Sequence, residues 1–386
     1  MRMLQVLKPK YHTEEILDLI RQSCNDGWTG IGGNTVKFEE EWKRYSGAKT
    51  CHMLNSATSS LHLALYQLKL KYDWKDGDEV LTSPLTFVSS NHAILYNNLK
   101  PFFVDIDDSG CLDYHNIENK ITKDTKAILF VGLGGNVGTL REVVNVAKAY
   151  NLKVILDAAH MAGTKWKDTL QQVGCNDLEG IDVVCLSFQA VKQLCTADSG
   201  AICWNGSDAL EQDALSRKLS WLGIDKDTYS RSTNQGTYKW HYDVPYLGYK
   251  FHSNSIMGAF ALVALKYLDQ DNAYRRYLAE IYTTLLQNNP NIKIVKHSDE
   301  CISGRHIFQI LVDKRDEVML ALNQMGIYPG VHYRDNTLYP MYNYAAGTCP
   351  KSEEFSNKTI SLPLHMHLTI EDIEFIAKKV NEITLK

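Results

Sequence analysis

The sequence predicts an α/β protein built on a mostly parallel sheet with helices on both faces. Two observations predict it: short β-branched or apolar runs alternate with helical patterns along most of the chain, and 386 residues at 44% apolar can bury a large core. At this length one large domain with a smaller companion is expected. The smaller part is placed after about residue 250, giving domains 1–250 and 251–386.

The first helix is read at 35–46 (TVKFEEEWKRYS), where Phe38 and Trp42 stand four apart among charges and Gly47 closes the pattern. Strands are expected at 79–82 (EVLT), 102–106 (FFVDI), 127–131 (AILFV), 153–157 (KVILD) and 183–188 (VVCLSF). Helical patterns at 59–70 and 140–150 lie between some of them. From about 205 to 250 the text turns polar, aromatic and glycine-rich. A long apolar helix at 255–269 then opens a third in which a strand (306–312) and helices (315–325, 370–384) alternate again.

Composition excludes several functions. A net charge of −4 with scattered lysines leaves no basic surplus for a nucleic-acid backbone. Nine cysteines from Cys24 to Cys349, none in a CxxC pair, fit a reducing cytoplasm and no zinc site. No stretch approaches the roughly 18 apolar residues of a membrane span, and the first residues do not read as a signal peptide. A cytoplasmic, unprocessed protein with no metal, membrane or nucleic-acid partner is expected.

Three features carry chemistry. Small and hydroxyl residues, Asn55 to Ser60, precede a periodic helix. Such a start can hold an anion on free N–H groups and the positive dipole end, or can be ordinary N-capping. Asp157 ends the strand KVILD, at the sheet edge where α/β proteins bind ligands, although an Asp there also caps helices. Lys192 follows the strand VVCLSF. Alone it would be a solvated loop lysine, but an anion site, an acid and an amine at one sheet edge are the parts that pyridoxal phosphate (PLP) requires: a helix start for the phosphate, a carboxylate for the pyridine nitrogen, and an amine for the aldehyde. A free lysine with a pKa of about 10.4 is well under 1% neutral at pH 7, so Lys192 must be desolvated to react.

From about Trp28 onward the chain resembles the DegT/DnrJ family of sugar aminotransferases. The pieces in family order are GWTGIGG, FEEEWKRYSGAK, NSATSSLHLAL, SPLTFVSSNHAI, PFFVDID, ILDAAHMAG, SFQAVKQLCTADSGAI, WLGIDKDT, DVPYLGYKFHSN and SLPLHMHLT. The resemblance implies fold type I of the PLP-dependent transferases, with a mostly parallel seven-stranded sheet between helices and a smaller C-terminal α+β domain. It implies Lys192 as the Schiff-base lysine and Asp157 as the acid at the pyridine nitrogen. His160 would touch the cofactor near its 3-hydroxyl, and Phe87 would stack on the pyridine. Thr58, Ser59 and Ser187 would bind the phosphate, joined by Lys250 from a neighbouring subunit. Without the resemblance, His160 and Phe87 read as core residues and Lys250 as a surface lysine.

The same resemblance implies a homodimer with shared active sites, a nucleotide-linked keto sugar as acceptor and an amino acid such as glutamate as donor. Trp28, Thr29, His332 and Tyr333 are expected on the substrate side. Ala57, Leu156, Ala190 and Ser199 depart from the family pattern without removing a catalytic group. Lys192 stands against the dehydratase branch, which carries histidine there. Two rival functions are weighed. Gly132, Gly134 and Gly138 follow a strand and precede a helix, near a dinucleotide-binding fingerprint for an NAD-dependent oxidoreductase, but spaced GxGxxxG. A catalytically silent sensor on the same fold is the other.

Overall fold

The computed structural model describes residues 3–175, 180–225 and 242–385. The motif WLGIDKDT lies partly outside them. Seven strands form one sheet: β1 (His52–Leu54), β2 (Glu79–Thr82), β3 (Lys100–Phe103), β4 (Thr125–Val131), β5 (Lys153–Asp157), β6 (Val183–Ser187) and β7 (Gly200–Trp204). Their order is β1-β7-β6-β5-β4-β2-β3. The run from β6 to β3 is parallel throughout, and β7 alone runs against its neighbours.

These strands are nearly all apolar because both faces are covered. Along β5, Val154 and Leu156 join a core with Phe38 and Trp42, whereas Ile155 joins a second core with Leu61 and Leu65. The helices behind this are α1 (Thr13–Asn25), α2 (Gly33–Ser46), α3 (Ala57–Lys71), α4 (Val88–Tyr96), α5 (Leu140–Ala149) and α6 (Ala209–Ser220). Gly47 ends α2 at φ 79°, as its position in the sequence predicts.

After these comes α7 (Ser255–Leu286), then β8 (Lys293–Ile294), β9 (Phe308–Leu311), α8 (Arg315–Gln324), α9 (Pro350–Lys358), β10 (Thr359–Leu362) and α10 (Ile370–Thr384). The strands β8, β9 and β10 make a small antiparallel sheet. It packs with Leu278, Tyr282, Ile373 and Ile376 as a third core. No described helix is long and apolar enough to cross a membrane.

Four elements differ from expectation. The helix expected at 255–269 continues to Leu286, because the polar residues that break its pattern have tertiary partners: Asp269 accepts from Tyr45 Oη (2.6 Å) and Lys165 Nζ (2.8 Å), and Asn272 Nδ2 donates to Ala162 O (2.9 Å). The run at 102–106 leaves the sheet after Phe103, where Asp105 turns to accept from the Ile106 and Ser352 amides. The strands β1 and β7 carry no long apolar pattern of their own. We propose 1–250 and 251–386 as the two domains; the separate third core supports this. Several features cross that line: α7 places Leu262 in the large core and Leu278 in the small one, Leu4–Gln5 pairs with Ile327–Tyr328, and Cys301–Ile302 pairs with Lys165–Trp166.

Candidate active site

The parallel strands end at one edge, where Val131, Asp157 and Cys185 stand side by side in register. The loops that follow, with the start of α3 and the turn before α4, enclose a cavity of about 480 Å³. Asp157 and Lys192 both line it, together with Thr58, Phe87, His160 and Ser187. His332 and Tyr333 close it from the C-terminal part.

Asp157 is 4% exposed. Its Oδ2 accepts from Ser90 Oγ (2.7 Å) and its Oδ1 from the Ala159 amide (3.1 Å). Thr86 Oγ1 bonds Ser90 Oγ at 2.8 Å, so the carboxylate ends a short hydroxyl chain. Burial pushes the Asp157 carboxyl above its usual range, while the Ser90 and Ala159 bonds and the charge of Lys192 pull it back. A cation placed against it would restore full ionisation. Lys192 sits in the turn after β6, its amide donating to Gln189 O (2.8 Å). Burial lowers its ammonium to about 8 against the opposing pull of Asp157, and among the described residues it has no ion pair. The neutral amine that imine chemistry needs is therefore accessible near neutral pH.

His160 accepts from the Gly134 amide at Nδ1 (3.1 Å), and its Nε2 lies 3.1 Å from Tyr333 Oη. The first bond fixes the tautomer: Nδ1 accepts, so Nε2 carries the proton toward Tyr333. Burial, then the charges of Lys192 and His332, hold His160 well below the usual histidine range, so the ring is neutral. His332 is pushed to about 4 by burial and Lys192, with Nδ1 2.8 Å from Ser361 Oγ. Phe87 is 57% exposed and tilts toward Tyr333, ring centres 5.9 Å apart.

At the helix start, Ser56 caps α3 by accepting from the Ser59 amide (3.1 Å). Ser56, Ala57 and Thr58 line the cavity, but Ser59 does not: its hydroxyl donates to Asn55 Oδ1 (2.5 Å) beneath the turn. Gly200 at the start of β7 permits this seat, since a Cβ there would fall 2.6 Å from the Ala57 nitrogen. Three other expected residues lie off the cavity wall. Lys250 holds its ammonium 3.3 Å over the Trp221 ring, although its carbonyl meets Asn55 Nδ2 (3.3 Å). Trp28 is half-buried and Thr29 exposed, near the start of α7, where the Ser255 amide donates to Thr29 O (3.2 Å).

The glycine loop 132–138 is filled by protein. The Gly134 amide is engaged by His160, and a Cβ on Gly132 or Gly135 would strike Met161 or His160 O. Its glycines serve close packing, and the Gly134 amide, bonded to His160, is not free for a pyrophosphate. Sequence reasoning missed Thr86 and Ser90; each sits inside a quoted motif, but only the tertiary bond to Asp157 marks Ser90. The donor set fits PLP: a hydroxyl-lined helix start, a buried carboxylate short of a cation, and an amine kept partly neutral, all on one cavity.

Comparison with known proteins agrees. The DegT/DnrJ/EryC1/StrS aminotransferase family profile matches residues 10–381. The spore coat polysaccharide biosynthesis protein SpsC of Bacillus subtilis is 29% identical, over 97% of this chain and 95% of its own. The UDP-4-amino-4,6-dideoxy-N-acetyl-beta-L-altrosamine transaminase of Campylobacter jejuni is 29% identical, over 93% of this chain and 92% of its own. Among solved structures, Spr1654 of Streptococcus pneumoniae, described as a sugar aminotransferase and solved in its PMP form, superposes with TM-score 0.88 at 26% identity, over 98% of each chain. It is also solved in a PLP form.

Proposed function

Because the chain belongs to the DegT/DnrJ/EryC1/StrS aminotransferase family, we propose that it moves an amino group from an amino acid, glutamate first, to a keto-deoxy sugar linked to a nucleoside diphosphate. The enzyme is a PLP-dependent sugar aminotransferase. The product would serve a surface polysaccharide or similar glycan, as the names of SpsC and the C. jejuni transaminase suggest for those proteins. PLP, when bound, takes up the amino group and stores the electron pair released at the substrate carbon.

The residues divide the work as follows. Lys192 anchors the cofactor through its amine and, once displaced, carries the proton at the substrate carbon as base and then acid. Asp157 would meet the pyridine nitrogen and keep it protonated, with Ser90 orienting the carboxylate. Phe87 would cover the ring face, and His160 would meet the 3-hydroxyl side. Thr58, Ser187 and the α3 start would hold the phosphate, with Ser59 bracing that start through Asn55. Lys250 reaches the phosphate of a neighbouring subunit, and Trp28, Thr29, His332 and Tyr333 contact substrate.

We assign the enzyme to the cytoplasm as a homodimer. The exposed apolar run of Val244, Tyr246 and Leu247 supports the dimer, since single chains rarely leave such a stretch in water. One observation carries the catalytic assignment: Lys192 and Asp157 line the same cavity as the start of α3. Intact groups at both positions speak against a silent sensor. The test is the visible absorbance of the PLP-loaded protein, followed by turnover with glutamate and a panel of nucleotide keto sugars. Unchanged absorbance in Lys192→Ala would overturn the assignment of that lysine.

A further inference from the structure

Next to Lys192, Gln193 is 5% exposed and does not line the cavity. Its Nε2 donates to the carbonyl oxygen of His160 at 2.5 Å. Among the described residues this is the one hydrogen bond that joins the lysine turn, 189–193, to the segment 157–162. Its Oε1 is buried with no partner among the described residues, so that one bond is the polar anchorage of the side chain.

The contact is built on both sides. Gly304 comes so close that a Cβ would stand 3.0 Å from Gln193 Nε2. Gly135, with φ +88°, comes so close that a Cβ would stand 3.0 Å from His160 O. Two glycines thus make room for one amide–carbonyl pair. From His160 the linkage continues through its ring to Tyr333 Oη.

We propose that Gln193 is a positioning residue for the transamination chemistry, locking the turn that carries Lys192 to the His160 peptide so that the amine and the His160–Tyr333 pair hold a fixed spacing across the cavity. The proposal rests on the assignment of Lys192 given above. A glutamine fits the task because its amide donates without bringing charge into a buried place, and it reaches one methylene further than asparagine.

The test uses the PLP-loaded enzyme with Gln193→Met, which keeps length and loses the donor, and Gln193→Asn, which keeps the donor and loses reach. The Met variant should bind PLP, lower kcat by about 10- to 100-fold with the KM for the amino donor little changed, and shift the pH midpoint of the lysine-bound cofactor's absorbance. The Asn variant should recover part of both. A packing role alone would lower Tm and leave the midpoint and kcat in place; that result, in whichever variant folds, overturns the proposal. Lys192→Ala with unaltered absorbance would instead strike the underlying assignment, and the proposal with it.

Discussion

The inner end and the mouth of the cavity are built differently. At the inner end, Thr86, Ser90 and Asp157 form one hydrogen-bonded chain and His160 and Tyr333 another, with bonds of 2.7 to 3.1 Å. At the mouth, Phe87 is exposed, Lys250 lies over Trp221, and Trp28 and Thr29 stand off the wall. The difference lies in what fixes each group: Asp157 and His160 follow the end of β5 and are held by hydrogen bonds, while Phe87, Lys250, Trp28 and Thr29 sit on loops and helix starts.

If the inner end is the catalytic half, its removal should cost most. Lys192→Ala is expected to lower transamination about 10⁴-fold or more, with loss of the lysine-bound cofactor's absorbance, read by spectra and single-turnover assay. Asp157→Asn should cost about 3 to 5 kcal/mol, roughly a hundred- to several-thousand-fold in kcat, by stripping the partner of a buried pyridinium. Either variant with near-normal activity would break the contrast.

Smaller effects sharpen it. With Lys192 at about 8, the neutral fraction of its amine grows about tenfold between pH 7 and 9, and the rate of PLP capture by apoenzyme should rise with it, measured by stopped-flow absorbance. The sign follows from the neutral form being the nucleophile; a rate that falls with pH would contradict it. Ser90→Ala leaves the buried carboxylate one donor short, and about 1 to 3 kcal/mol should be lost from PLP affinity, read by titration. Lys250→Ala should weaken PLP only severalfold.

The strands at 153–157 and 183–187 were legible because a strand buried on both faces must be apolar throughout, and Asp157 and Lys192 were legible as polar groups left just past such strands. The seven-strand count and the roles of His160 and Phe87 came from resemblance to a family, since β1 has three residues and β7 reads like any short apolar run. The full length of α7 was hidden because Asp269 and Asn272 spoil its pattern, and their partners, Tyr45, Lys165 and Ala162, are more than a hundred residues away. Ser90 was hidden for the same reason: a serine in a helix carries no mark of the acid 67 positions later that it serves.

Gly200 ties the helix start to the sheet itself. With no side chain between them, the main chain of the one reversed strand is the floor on which Ser56 and Ala57 rest, within 2.6 Å of where a methyl group would be. The seat of that helix is therefore inherited from the backbone ladder. Substitutions can drift through the apolar layers on either face without moving it, while a single added carbon at this one position would dislodge it.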